Sequence, residues 1–176
     1  MRTQVRRYAS SQSGYTLIEL LVASAIGLIV MTGLGSVVLT TWQAGVVATS
    51  RVEASAQVRS FQFDAYDDFA LSGPPVLSNC DPGSPPPCTI ALSGLQASNS
   101  ATPKPHAYSV TYTWDGVNVD RRVGSNPAGH AATGVSAFSA VITGAAPHVT
   151  VVVTMTVTVE TYSLTQILQF YPRVDP

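Results

Sequence analysis

Gly14-Tyr15-Thr16-Leu17-Ile18-Glu19-Leu20-Leu21-Val22 opens a stretch whose reading decides the fold. From Leu20 to Leu39 no residue carries a charge, and most are Leu, Val, Ile, Ala, Met or Gly. At about 1.5 Å rise per helical residue, twenty residues reach roughly 30 Å, the thickness of one bilayer's hydrocarbon core. Arg2, Arg6 and Arg7 lie on the N-terminal side, and the next basic residue is Arg51. The positive-inside bias therefore puts the N-terminus in the cytoplasm and everything after the span outside.

Two ordinary explanations of such a segment fit poorly. A cleaved secretory signal has an apolar stretch of about 7 to 15 residues followed by a small-residue site. This stretch is longer, Gln43-Ala44-Gly45 is a poor site, and no Cys follows the span for lipoprotein processing. A plain anchor accounts for the length but not for Glu19. A carboxylate at full membrane depth costs about 2.5–3.5 kcal/mol on insertion scales, less near the interface, and marks function.

The run from Gly14 to Val22 closely resembles the class III leader junction of type IV pilins and type II secretion pseudopilins: a short basic leader, a Gly, an aromatic residue, Thr-Leu-Ile-Glu and an apolar helix. Tyr15 stands where Phe is usual in that family. The resemblance implies cutting between Gly14 and Tyr15 by a membrane-embedded prepilin peptidase and methylation of the new Tyr15 amine. It also implies that Glu19 of one subunit meets the Tyr15 amine of its neighbour and sets axial register; a Glu snorkelling to lipid headgroups is the plainer alternative. Loss of residues 1–14 removes three of nine basic residues, so the net charge falls from -1 to -4.

The helical pattern continues past the span. No proline occurs before Pro74, and Val47, Ala54, Val58, Phe61, Ala65 and Phe69 are spaced as one helical stripe, with Arg51, Glu53, Gln57, Arg59, Gln62, Asp64 and Asp68 mostly off it. One helix is expected over 15–71, apolar all round in its first half and amphipathic in its second, with the transmembrane segment at about 20–39. Ser72-Gly73-Pro74-Pro75 supplies the stop. Gly27, Gly33, Gly35 and Gly45 lower helix propensity by about 1 kcal/mol each relative to Ala. Packing between subunits, a segment that melts during assembly and ordinary small-residue membrane packing all remain open as their reason.

Residues 72–107 read as loop-rich and contain the chain's two cysteines, Cys80 and Cys88, both on the exported side. Export favours a disulfide between them, which would close the proline-rich loop 80–88. Two Cys and a distant His106 do not make a zinc site. The period then changes from 3.6 to 2. Tyr108, Val110, Tyr112 and Trp114 alternate with Ser and Thr, Asp115-Gly116 signals a two-residue turn, and Val117, Val119 and Arg121 continue a hairpin. Val149 to Val159 is the strongest strand pattern, a weaker one spans Val135 to Thr143, and a last one Leu164 to Tyr171, while Gly124 to Gly134 is small, polar and mobile in character. The expected class is α+β, the pilin fold: a leader at 1–14, a long N-terminal helix at 15–71 and an exported head at 72–176, an antiparallel sheet of four or more strands packed on the helix.

Composition sharpens the functional reading. Only 11% of the 176 residues are charged, against about 25% in an ordinary soluble domain, and 19 Ser and 18 Thr serve as the polar filler. That argues against bulk electrostatic binding of nucleic acid and against charge-driven disorder. His106, His130 and His148 have no nucleophile or carboxylate at a recognisable spacing, so no catalytic residue, cofactor or metal is expected. Asp64, Asp67 and Asp68 read as a solvated acidic face. Arg121 and Arg122 read as a subunit contact, with nucleic acid the weaker candidate at a mature charge of -4. The C-terminal half looks like the PilW-like minor pilins and the J-type minor pseudopilins, and Glu19 argues against the K-type tip pseudopilin. The resemblance therefore implies a minor pilin of a type IV pilus, or alternatively a minor pseudopilin or a membrane-anchored adhesive or DNA-binding protein. Its partners would be other pilin subunits, the prepilin peptidase, the inner-membrane assembly platform and the membrane.

Overall fold

A computed structural model describes residues 15–96, 106–145 and 148–173. The chain divides into two compact units, whose described parts are 15–45 and 46–173. A single helix, α1 (Leu17–Leu71), begins in the first and ends in the second. In the first unit every described side chain is exposed, and by length and composition the helix is apolar enough to cross a membrane. Its few hydroxyls are satisfied locally. Ser24, Thr32, Ser36, Thr40 and Thr41 each donate to a carbonyl three or four residues back, which removes the cost of carrying an unpaired hydroxyl into lipid. The helix runs unbroken through Gly27, Gly33, Gly35 and Gly45, and a Cβ at any of them would meet nothing within 4 Å. No contact inside the described subunit therefore requires those glycines.

In the second unit, the rest of α1 buries Ala54, Val58, Phe61, Ala65 and Phe69, the stripe expected from their spacing; Val47, expected at its head, is exposed. Eight strands follow: β1 (Val76–Ser78), β2 (Cys88–Gln96), β3 (His106–Trp114), β4 (Val119–Val123), β5 (Gly129–Ala132), β6 (Val135–Thr143), β7 (Thr150–Val159) and β8 (Tyr162–Phe170). They form two antiparallel sheets rather than one, ordered β1-β2-β3-β4-β5 and β6-β7-β8. A helix on antiparallel sheets is the α+β arrangement that the resemblance to pilins implies.

Phe61 centres the core. Its ring meets Tyr112, Phe138 and Phe170 edge to face at 5.5, 5.7 and 6.2 Å, so one helical side chain touches strands of both sheets. Phe69 stacks on Phe170 with centroids 4.6 Å apart. Val151, Val153, Met155 and Val157 of β7 are buried while the intervening residues are half-exposed, as the period of two requires.

Four sequence expectations change. Nine residues of the segment read as loop form β2, whose Cys88, Ile90 and Leu92 point into the core, and part of the Gly124 to Gly134 segment forms β5. The hairpin turn is longer than a two-residue Asp115-Gly116 turn, since Trp114 pairs with Val119 and the Asp115 N–H donates to the Asn118 carbonyl at 3.1 Å. Relative to that expected turn the register slips by two residues. An even slip leaves the same side chains facing the core, so Val119 is still buried. The last strand starts two residues earlier than expected, at Tyr162.

The end of α1 is tied into the sheet. Ser72 bridges Gly94, the Gly73 N–H donates to the Ser93 carbonyl at 2.9 Å, and the Arg173 N–H donates to the Ser72 carbonyl at 2.9 Å. A Cβ on Gly94 would lie 2.3 Å from the Leu71 carbonyl oxygen, so only glycine allows this approach.

Candidate functional site

At the start of α1, Thr16 and Glu19 form a reciprocal cap. The Thr16 N–H and Oγ1 donate to Glu19 Oε2 at 3.1 and 3.2 Å, and the Glu19 N–H donates to Thr16 Oγ1 at 3.4 Å. This is a capping box, Thr-x-x-Glu, which satisfies donors at the helix start that no intrahelical carbonyl can reach. The negative carboxylate also sits at the positive end of the helix dipole. The sequence reading of Glu19 missed this local task, although the Thr16-to-Glu19 spacing was its signal. Tyr15 is 87% exposed beside it, and Gly14 lies outside the described residues.

Cys80 and Cys88 are joined by a disulfide with Cα atoms 4.7 Å apart, and both are buried. The loop they close is pinned at several points. The Asn79 side-chain amide donates to the Pro85 and Pro87 carbonyls, and the Ser84 N–H to the Asp81 carbonyl at 3.0 Å. The Ala140 N–H donates to the Cys80 carbonyl at 2.9 Å and attaches the loop to β6.

The acidic trio does not share one solvated face. Asp67 is exposed and Asp64 half-buried, but Asp68 is 1% exposed. Its carboxylate accepts a bidentate pair from Arg121, Nε at 2.7 Å and Nη2 at 2.8 Å, together with the Tyr108 hydroxyl at 2.5 Å and the Tyr112 hydroxyl. Burial pushes the Asp68 carboxyl up, but the hydrogen bonds from Arg121, Tyr108 and Tyr112 outweigh it and hold the group below the ordinary carboxylate range. Burial and the adjacent carboxylate push Tyr108 up to about 12, and they raise Tyr112 as well. The cluster joins α1 to β3 and β4. Arg121, expected to meet a partner, is instead committed to Asp68, whereas Arg122 is exposed. Helical position was the available signal, since Asp68 falls between Ala65 and Phe69 on the buried face.

The histidines are dispersed. His130 Nδ1 lies 2.6 Å from Asp120 Oδ1 on the surface, and His148 precedes β7 with its N–H donating to the Ala145 carbonyl. Asp64, Arg121, Asn126 and His130 line a shallow cleft, and Arg122 lines another with Thr111, Thr113 and Asp120.

One family, described as the prokaryotic N-terminal methylation motif, matches residues 9–35. No curated protein and no solved structure matches the chain.

Proposed function

We propose that this chain, which carries the class III leader of type IV pilins and pseudopilins, is a minor pilin of a type IV pilus. Its role is structural rather than enzymatic. The observation that carries the reading is the leader junction itself: Gly14-Tyr15-Thr16-Leu17-Ile18-Glu19 opens one unbroken helix that begins in an apolar segment and ends packed on an antiparallel head. The motif fits processing by a prepilin peptidase and assembly with other pilin subunits. The basic leader and the apolar segment support a cytoplasmic N-terminus, a single pass through the inner membrane, and a head outside it with its disulfide formed.

In this reading Glu19 has two successive tasks. Within the subunit it caps its own helix through Thr16. In the filament it becomes the partner of a neighbour's Tyr15 amine, because two charges buried in apolar surroundings are far less costly as a pair than alone. The test is Glu19→Ala in the native host. The variant is expected to be cleaved normally but to be lost from sheared filaments, and normal recovery there would remove the pairing role. A deletion strain separates the neighbouring roles: fewer or no pili supports a pilin, whereas normal pili with defective protein secretion would favour a pseudopilin.

A further inference from the structure

We propose that the outer face of the five-stranded sheet carries a binding site for an acidic sugar, one that presents a carboxylate and ring hydroxyls together, as a uronate unit of a polysaccharide does. The site involves neither the leader nor α1, and it stands whichever filament the chain serves. Strand register builds it. On β3, Val110, Tyr112 and Trp114 are buried, so Thr111 and Thr113 take the outer face. On β4, Val119 is buried and Arg121 reaches Asp68, so Asp120 and Arg122 take that same outer face. Thr111 pairs with Arg122, Thr113 with Asp120, and Asp120 in turn with His130 of β5. Neighbouring strands and alternate residues thus set four polar side chains at the corners of a rectangle of about 5 by 7 Å, the scale of one sugar ring. With Ala128 they line a shallow cleft of about 250 Å³, just below the roughly 300–1,000 Å³ of pockets that take drug-sized ligands.

What those corners leave unbonded selects the ligand. On the outer face of the three-stranded sheet hydroxyls satisfy one another: Thr156 bonds Thr165, and Thr158 bonds both Ser136 and Ser163. In the cleft they do not. Among the described residues the Thr111 and Thr113 hydroxyls and the Arg122 guanidinium have no hydrogen-bond or ion-pair partner, although Asp120 is only two residues from Arg122. Asp120 is held by His130 instead, with Nδ1 2.6 Å from Oδ1, and its Oδ2 is left unbonded. The cleft therefore offers a planar guanidinium fork for a carboxylate, a carboxylate oxygen that accepts from ligand hydroxyls, and two hydroxyls that both donate and accept. A ligand must carry an anion and several hydroxyls to use all four, and Ala128 gives its ring an apolar contact. A polyphosphate chain fits poorly, because Asp120 stands beside the cleft's one guanidinium and nucleic-acid binding draws on the neutralisation of several phosphates.

Fluorescence anisotropy of end-labelled trigalacturonate, titrated at low salt with the full chain in non-ionic detergent, tests the site. The chain is expected to bind it, and unlabelled trigalacturonate should compete where neutral maltotriose, succinate and inorganic phosphate do not. Arg122→Gln should weaken binding at least tenfold and Thr111→Val about threefold, while Arg59→Gln on α1 changes nothing. All these positions are exposed or half-exposed, so the fold is expected to persist, which circular dichroism verifies. Asp120→Asn separates a sugar site from simple charge attraction. It should weaken trigalacturonate, whose hydroxyls lose a charged acceptor, whereas an anion drawn only by Arg122 would bind more tightly once the neighbouring negative charge is gone. Tighter binding by Asp120→Asn overturns the proposal, as does an absence of binding by the unaltered chain. Competition by succinate or phosphate as strong as by trigalacturonate, or an equal loss in Arg59→Gln, overturns it too. A short DNA duplex that binds more tightly than trigalacturonate, and is lost with Arg122→Gln, would give the cleft to nucleic acid instead. Each of these failures leaves the pilin reading intact.

Discussion

Replacing Asp68 with Asn keeps the shape of the side chain and removes the charge on which four hydrogen bonds converge. The carboxylate is 1% exposed and Arg121 28%, so water can compensate the guanidinium only in part and Asp68 hardly at all. Hydrogen bonds to a charged group contribute about 1.5–3 kcal/mol each, and breaking a buried ion pair from one side costs about 3–5 kcal/mol. The amide can still accept from two donors, so the lower end applies, about 3 kcal/mol. With a urea dependence of about 1.5–2 kcal/mol per molar for a unit of this size, the unfolding midpoint should fall by about 1.5–2 M. The assay is urea unfolding of the detergent-solubilised chain followed by near-ultraviolet circular dichroism, with the exposed Asp67→Asn as control at about 0.5 kcal/mol or less. The sign with pH is fixed. Because the folded Asp68 pKa is depressed, its stabilisation is fully present above the ordinary carboxylate value and is lost as pH falls through the folded one. Tyr108, raised to about 12, works in the other direction: its contribution holds below about 10 and is lost as pH rises from there towards 12. An Asp68→Asn midpoint equal to that of Asp67→Asn, with an unchanged acid limb, would refute the clamp.

Other substitutions probe different parts of the same structure. Phe61→Ala, which empties the meeting point of both sheets, should cost about 3–5 kcal/mol in the same urea assay. Gly94→Ala, whose new Cβ meets the Leu71 carbonyl, should loosen the end of α1 and speed hydrogen exchange at Gly73, whose N–H is bonded to Ser93. Cys80→Ser with Cys88→Ser should cost about 2.5 kcal/mol by the loop-entropy estimate and leave the helix content measured by far-ultraviolet dichroism unchanged.

The parts legible in the sequence are those written in local pattern. The apolar span, the stripe from Ala54 to Phe69 and the alternation of β7 follow from periods that a short window contains. The structure differs where long-range pairing decides. The strand β2 escaped notice because prolines crowd its start and Gly94 interrupts it, yet Cys88, Ile90 and Leu92 alternate as an inward row should. Asp68 looked solvated because aspartate on an amphipathic helix usually is. Its burial depends on Tyr108, Tyr112 and Arg121, which lie 40, 44 and 53 residues away in sequence and converge on one carboxylate. The same cluster explains why Arg121 is not a surface ligand while its neighbour Arg122 stays outside. Glu19 marks the opposite case. Its local role is spelled out by Thr16 three residues earlier, a capping box set at the edge of an apolar stretch.

The central claim is that residues 1–14 are a leader and that Tyr15 begins the mature subunit. Intact-mass and N-terminal peptide measurement on protein from the native host's membranes tests it most directly. The account predicts a chain starting at Tyr15 with one methyl group on its amine, and accumulation of the full-length precursor when Gly14 is replaced by Val. A wild-type chain that retains residues 1–14, or that begins after the apolar span, would contradict it.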